Sequence, residues 1–236
     1  FKSKTDKSII KTKKSQNNNL YKSLIKIALT VSAGSLVTSL TTLSDLTTIT
    51  YSIEKIIEKS PDFFAFLNIN KSETAGFVYG SFTGLAITVF NLVPSVVNMF
   101  GKSIFPSISE AKVLNDHNKI KASIEKALLT SAFFAIPSGL GITFLSKEIL
   151  TFLFKDKIYE ILISYKSLSI LGIGVIFLSL STTFFSMLQA IGRPDIPLKA
   201  MIFGTIIKIL GNIVLIPSPE ININGAAIST TVSYII

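Results

Sequence analysis

The sequence predicts an all-α integral membrane protein, and three observations carry that expectation. Charge is scarce: 16% of residues are charged and 48% are apolar, against about 25% charged in an ordinary soluble domain. From Ser167 to Gly192 there is no Asp, Glu, Lys or Arg, a run longer than the roughly 20 residues that cross a bilayer core. The basic residues behind the net charge of +9 sit at the flanks of apolar segments, where the positive-inside rule places them. A nucleic-acid footprint would instead gather them on one folded face. A membrane barrel would show alternating runs of about ten residues, and the sequence has none.

Six apolar segments are expected, with boundaries at Leu24–Tyr51, Ala75–Phe100, Ile124–Leu145, Ile161–Ile191, Ala200–Ile216 and from Ile223 onward. Each of the first five is long enough to span, allowing for tilt. Residues 1–20 read as a basic cytoplasmic linker and residues 21–236 as the transmembrane lobe. The linker lacks the apolar core of a secretory signal. Because the chain starts at Phe1 and stops within an apolar run, it is expected to be a piece of a longer protein whose sixth segment is cut short. Cysteine is absent, which removes disulfides, thiolate metal sites and a cysteine nucleophile.

Loop charges orient the segments. The leading stretch of the chain holds Lys2, Lys4, Lys7, Lys11, Lys13, Lys14, Lys22 and Lys26 with only Asp6 against them. The second-to-third connection carries Lys102, Lys112, Lys119 and Lys121, and the fourth-to-fifth carries Arg193 and Lys199. The opposite side holds Lys55, Lys59 and Lys71 balanced by Glu54, Glu58, Asp62 and Glu73, then Glu220. This alternation places the lysine-rich end and the Arg193 loop in the cytoplasm.

The segments differ in chemistry. The fourth is mostly Ile, Leu and Phe, as a lipid-facing helix would be. Between Ile27 and Tyr51 nearly every second residue is Ser or Thr, and helical spacing puts Gly34, Thr38, Thr41, Asp45 and Thr48 on one stripe. An acid at that depth normally points into protein or a watery cavity. Asp45 has three readings: it caps a helix break or bonds a nearby hydroxyl, it lies at the interface, or it lines a cavity and takes a proton or cation. Lys208 lies mid-segment, too central to snorkel, and shares a face with Gly204 and Asn212. It either pairs structurally with an acid on another helix or serves as a cavity cation for an anionic substrate such as a phosphate; the two are compatible. In the second segment Gly76, Gly80 and Gly84 recur every four residues, a spacing expected to let helices approach closely. Asn91, Pro94 and Asn98 follow, and Pro94 and Pro137 are expected to kink their helices. The cavity candidates are therefore Asp45, Thr41, Thr38, Lys208, Asn212, Asn91 and Arg193.

Enzymatic signals are poor. His117, the sole histidine, falls in a polar connection and reads as solvated. There is no metal-ligand spacing and no glycine-rich phosphate loop, so no catalytic residue, metal or cofactor is expected.

Four stretches carry a family likeness: Phe105–Ala111 (FPSISEA), Leu188–Pro194 (LQAIGRP), Ile216-Pro217 with Ile223–Ala227 (INGAA), and Leu43-Ser44-Asp45. In order and spacing they resemble the polysaccharide-transporter and stage V sporulation protein B family, which shares a superfamily with the lipid II flippases and the multidrug and toxin extrusion (MATE) transporters. The resemblance covers the chain from about Tyr21 to its end. It implies half of a two-lobed MATE-like transporter: a six-transmembrane-helix lobe, preceded by part of a cytoplasmic linker, whose partner is the missing N-terminal lobe of the same chain. The implied activity is flipping a lipid-linked oligosaccharide or a peptidoglycan or spore-wall precursor, carried on polyprenyl-pyrophosphate, across the bacterial cytoplasmic membrane by alternating access. The alternatives are a multidrug or cation antiporter of the same superfamily and a membrane-embedded transferase.

Overall fold

Apolar runs bounded by turn-forming residues resolve into helices throughout the computed structural model, which describes residues 2–236, with side chains for Tyr21, Ile25 and residues 28–236. In chain order these are α1 (Lys2–Lys59), α2 (Lys71–Ser81), α3 (Thr88–Val113), α4 (His117–Phe144), α5 (Ser146–Leu153), α6 (Ile158–Ala190), α7 (Asp195–Leu215) and α8 (Asn224–Ile235). A wider π-helical turn, Phe82–Ile87, joins α2 to α3 without a break. The side chains of the lysine-rich residues 1–20, on which the expected linker rests, lie outside the described residues.

Four of these stretches are long and apolar enough to cross a membrane: Lys71–Val113, His117–Phe144, Ile158–Ala190 and Asp195–Leu215. They correspond to the second through fifth expected segments. The first segment lies within α1, whose Ser and Thr dilute its apolarity. The sixth is α8, of 12 residues. One element was not foreseen: the third-to-fourth connection folds as α5, which turns Ser146 and Leu150, four residues apart, inward.

Helix ends follow local chemistry. Asp116 caps α4, its carboxylate accepting from the Lys119 amide at 2.9 Å, which satisfies one of the donors a helix start leaves free. At the end of α6, Gly192 takes a φ of 76°. Its amide bonds the Gln189 carbonyl at 2.9 Å and the Arg193 amide bonds Leu188 at 2.8 Å, the paired closure of a Schellman cap. Lys112 of α3 then donates to the Ile191 carbonyl at 2.5 Å and Ser109 to Ala190 at 3.4 Å. Two of the quoted family stretches thus meet, Ser109 of one and the adjoining Lys112 donating to orphan carbonyls of the other. A third does similar work: Gly225 lets the turn after α7 close on Leu215, and Ser167 of α6 donates to Asn224 at 2.9 Å.

α6, whose Ile, Leu and Phe content suggests a lipid-facing helix, is instead the hub, packing on α3, α4, α5 and α8 with Leu168, Leu171 and Val175 fully buried; apolarity alone does not separate a core helix from a lipid-facing one. α6 meets α4 where Gly172 faces Gly139. A Cβ on Gly172 would sit 2.6 Å from the Thr143 nitrogen and 2.8 Å from the Gly139 oxygen. This is the close approach that the spacing of Gly76, Gly80 and Gly84 led us to expect in α2. At those three positions an added Cβ meets nothing within 4 Å. The correction has a simple cause: four-residue spacing defines a face, but only a partner helix makes it an interface. α3 and α4 run through Pro94 and Pro137 without a break in helix, and a π-helical turn precedes α3 at Phe82–Ile87.

Candidate functional site

α1 and α7 meet along a polar seam. Gly34 faces the Met201 sulfur, Thr41 and Thr205 hydroxyls lie 2.9 Å apart, and the Lys208 ammonium lies 2.5 Å from Asp45 Oδ2. On α1 the participants are spaced at helical intervals, as the stripe from Gly34 to Thr48 implied. Asp45 Oδ1 accepts from the Asn212 side-chain amide at 2.9 Å. Asn212, fully buried, in turn accepts through its side-chain oxygen from the hydroxyl of Ser229 on α8. Four residues on three helices thus form one continuous hydrogen-bonded unit.

This seam forms one wall of a cavity of about 580 Å³ between α1, the α2–α3 helix, α6, α7 and α8, a size that suits a small-molecule or headgroup site. Thr38, Thr41, Asp45, Asn91 and Lys208 all line it. Tyr79, Thr83, Ser181 and Tyr234 add further hydroxyls to the lining, and Phe82, Phe177 and Phe184 add aromatic rings. The charge lining is one carboxylate and one ammonium, with side-chain exposures of 16% and 12%. Ionised groups so far from water need a partner, and here each is the other's.

Of the three readings of Asp45, helix capping fails: α1 continues unbroken through it, and its partners are Lys208 and Asn212 rather than a neighbouring hydroxyl. For Lys208 the pairing with an acid on another helix is observed, in a position that also lines the cavity. Two candidates fall elsewhere. Asn212 sits behind the wall, holding Asp45. Arg193 lies in the loop between α6 and α7, with Nε and Nη2 bonded to the Asp195 carboxylate at 3.2 and 3.3 Å, which raises the guanidinium pKa further above its ordinary value. It does not line the cavity, because the Schellman cap at Gly192 turns the chain into the loop before Arg193 is reached.

Thr205 and Ser229 escaped sequence reading for different reasons. Thr205 is three residues before Lys208 and could have been read on the same face. Ser229 enters only because α8 folds back on α7, where a Cβ added to Gly211 would collide with it. The aromatic wall came from helices remote in sequence and carried no signal of its own.

With the geometry established, similarity to known proteins gives it context. The chain is 28% identical over 155 residues to an uncharacterized membrane protein of Methanocaldococcus jannaschii, covering 66% of this chain and 30% of that protein. It is 29% identical over 132 residues to a probable low-salt glycan biosynthesis flippase, Agl15, of Haloferax volcanii, covering 56% and 27%. It is 26% identical over 147 residues to the lipid II flippase MurJ of Bacillus subtilis, covering 60% and 26%. The chain thus spans less than a third of the length of these relatives. Among solved structures, a MOP superfamily transporter from Pyrococcus furiosus superposes with a TM-score of 0.72 at 14% identity, over 90% of this chain and 42% of that one, which establishes the shared fold. The profile described as Lipid II flippase MurJ matches residues 63–236, so the chain belongs to the MurJ lipid II flippase family.

Proposed function

We propose that the protein containing this chain is a flippase that moves a lipid-linked oligosaccharide, or a peptidoglycan or spore-wall precursor, across the cytoplasmic membrane by alternating access. In this reading residues 21–236 are one six-helix lobe, with α1 spanning beside the four apolar helices and α8 supplying part of the sixth. Residues 1–20 are cytoplasmic linker, and a second lobe of the same protein faces this one across the cavity. The polysaccharide-transporter and stage V sporulation branch suggested by the motifs, and a bacterial membrane, belong to the same proposal; two of the relatives are archaeal.

The observation that carries it is the cavity wall itself: Thr38, Thr41, Asp45 and Lys208 give a polar, hydroxyl-rich surface on helices that otherwise face lipid. Such a wall replaces water around a hydrated sugar-pyrophosphate head, while the polyprenyl tail stays in hydrocarbon. The names of two relatives support a transporter rather than an enzyme. Pairing of Asp45 with Lys208 favours a flippase over a cation antiporter, which needs an acid free to take its cargo.

Reconstitution of the full-length protein with a fluorescent polyprenyl-pyrophosphate sugar tests the reading, protection from a membrane-impermeant quencher reporting its leaflet. Translocation is expected in wild type and lost in Lys208→Met. Export of cationic dyes that requires Asp45 but not Lys208, with no movement of the lipid, would replace this proposal with the antiporter.

A further inference from the structure

The two charges in the cavity are held unequally. Asp45 uses both oxygens, Oδ2 on Lys208 at 2.5 Å and Oδ1 on Asn212 at 2.9 Å. Asn212 is held in turn by the Ser229 hydroxyl, whose one proton lies within reach of the Asn212 oxygen and of the Gly225 and Ala226 carbonyls of α8. The carboxylate is thus anchored from behind by fully buried, neutral groups. Lys208 carries three N–H donors and finds one acceptor, Asp45, among the described residues. When the pair opens, Asp45 keeps a donor and its position. Lys208 keeps neither, and its long stem gives it reach into the cavity that it lines.

We propose that Lys208 is a latched phosphate ligand. Asp45 holds the ammonium at rest; a phosphate ester or pyrophosphate entering the cavity draws it away; Asn212 and Ser229 keep the carboxylate in place for the ammonium to return to. The inference rests on the flippase reading for the identity of the anion, but not for the exchange itself.

The exchange is physically reasonable because one charge-assisted pair replaces another in the same surroundings. A pyrophosphate, with more charge than a carboxylate, attracts the ammonium more strongly in a partly dry cavity. Asp45, left in place beside the bound anion, repels it. That repulsion favours release, and a translocation site must hold its cargo loosely enough to let go. A lysine without its latch would be a phosphate trap.

The test is a double-mutant cycle in the full-length protein, using calorimetric titration with farnesyl pyrophosphate, inorganic pyrophosphate and farnesol. Asp45→Asn, which keeps the shape and frees the ammonium, is expected to bind farnesyl pyrophosphate about tenfold more tightly than wild type, the equivalent of one charge-assisted hydrogen bond. Lys208→Met is expected to lose that binding. In the Lys208→Met background, Asp45→Asn is expected to gain only what relief of repulsion gives, well under tenfold, since there is no latch left to open. If Asp45→Asn tightens binding equally with and without Lys208, the acid acts by repulsion alone and the latch is refuted; unchanged affinity in Asp45→Asn refutes it too. Equal responses to farnesyl and inorganic pyrophosphate support a latch serving a free anion, and a response to the farnesyl compound alone supports a lipid headgroup. Should Asp45→Asn not fold, the ¹³C resonance of reductively methylated Lys208 in otherwise wild-type protein decides, assigned by its loss in Lys208→Arg. It must shift with the pyrophosphate and not with farnesol; a static resonance overturns the proposal. Failure of lipid translocation with the cycle intact would remove the flippase and leave the latch.

Discussion

Replacing Gly172 with alanine probes the packing of α4 on α6 more sharply than any core truncation. The added Cβ would lie 2.6 Å from the Thr143 backbone nitrogen and 2.8 Å from the Gly139 oxygen. Ordinary contacts begin near 3.4 Å; the Thr143 hydroxyl, nearer still, can rotate away, but the two backbone atoms cannot, so the helices must part by roughly 0.8 Å. Overpacking of this kind costs about 1–3 kcal/mol, and backbone obstruction places it in the upper half of that range. Alanine recovers up to about 1 kcal/mol of helix propensity over glycine, leaving a net loss of about 1–2 kcal/mol. Thermal unfolding of the full-length protein in detergent, followed by circular dichroism, should show a midpoint lower by about 2–8 °C. A midpoint within about 1 °C of wild type would mean that α4 and α6 do not cross at these glycines.

Three further outcomes follow from the same geometry. Gly80→Ala should leave the midpoint unchanged or raise it, by up to about 1 kcal/mol of helix propensity, because the new methyl meets nothing within 4 Å; a fall as large as that for Gly172→Ala would reveal a neighbour on this face. Gly192→Ala should cost about 1–2 kcal/mol, the penalty for a side chain in left-handed conformation, and should accelerate hydrogen exchange at the Gly192 and Arg193 amides that close α6. Arg193→Gln should leave lipid translocation intact, since the guanidinium is engaged outside the cavity with Asp195; loss of transport in the reconstituted assay would return Arg193 to the site.

Much of this structure was legible because membrane segments expel charge. Against an apolar background Asp45 and Lys208 stand out at once, and helical spacing correctly grouped Thr38, Thr41 and Asp45. Pairing across 163 residues was not legible, because periodicity gives the face of each helix and says nothing about which faces meet. The same gap explains the glycines. Gly76, Gly80 and Gly84 form a conspicuous repeat and pack on nothing described, while Gly139 and Gly172 carry no shared motif and make the closest crossing. α5 was hidden by its length: eight residues show barely two turns of pattern between two longer spans. The LQAIGRP stretch, noticed only as a likeness, turns out to be a helix stop written in backbone chemistry, with the left-handed glycine and the lysine from α3 closing it.

The Ser- and Thr-rich character of α1 raises a question that the seam answers. A helix so dilute in apolar residues inserts poorly if every hydroxyl needs an outside partner. Here most hydroxyls bond back within the helix: Thr38 to the Gly34 carbonyl at 3.1 Å, Thr41 to Val37 at 2.8 Å, Thr42 to Thr38 at 3.1 Å and Thr47 to Leu43 at 3.2 Å. Such back-bonding removes the demand for partners on neighbouring helices. Leu36, Leu40 and Leu43 meanwhile point outward, where lipid can take them. The Thr50 hydroxyl is buried without a partner among the described residues, and the larger demands left within the helices are the charge on Asp45 in α1 and the charge on Lys208 in α7. Among the described residues, these two ions on the cavity wall are paired with each other across the helices. In the flippase reading proposed above, the same pair opens at the moment when a phosphate offers Lys208 a replacement.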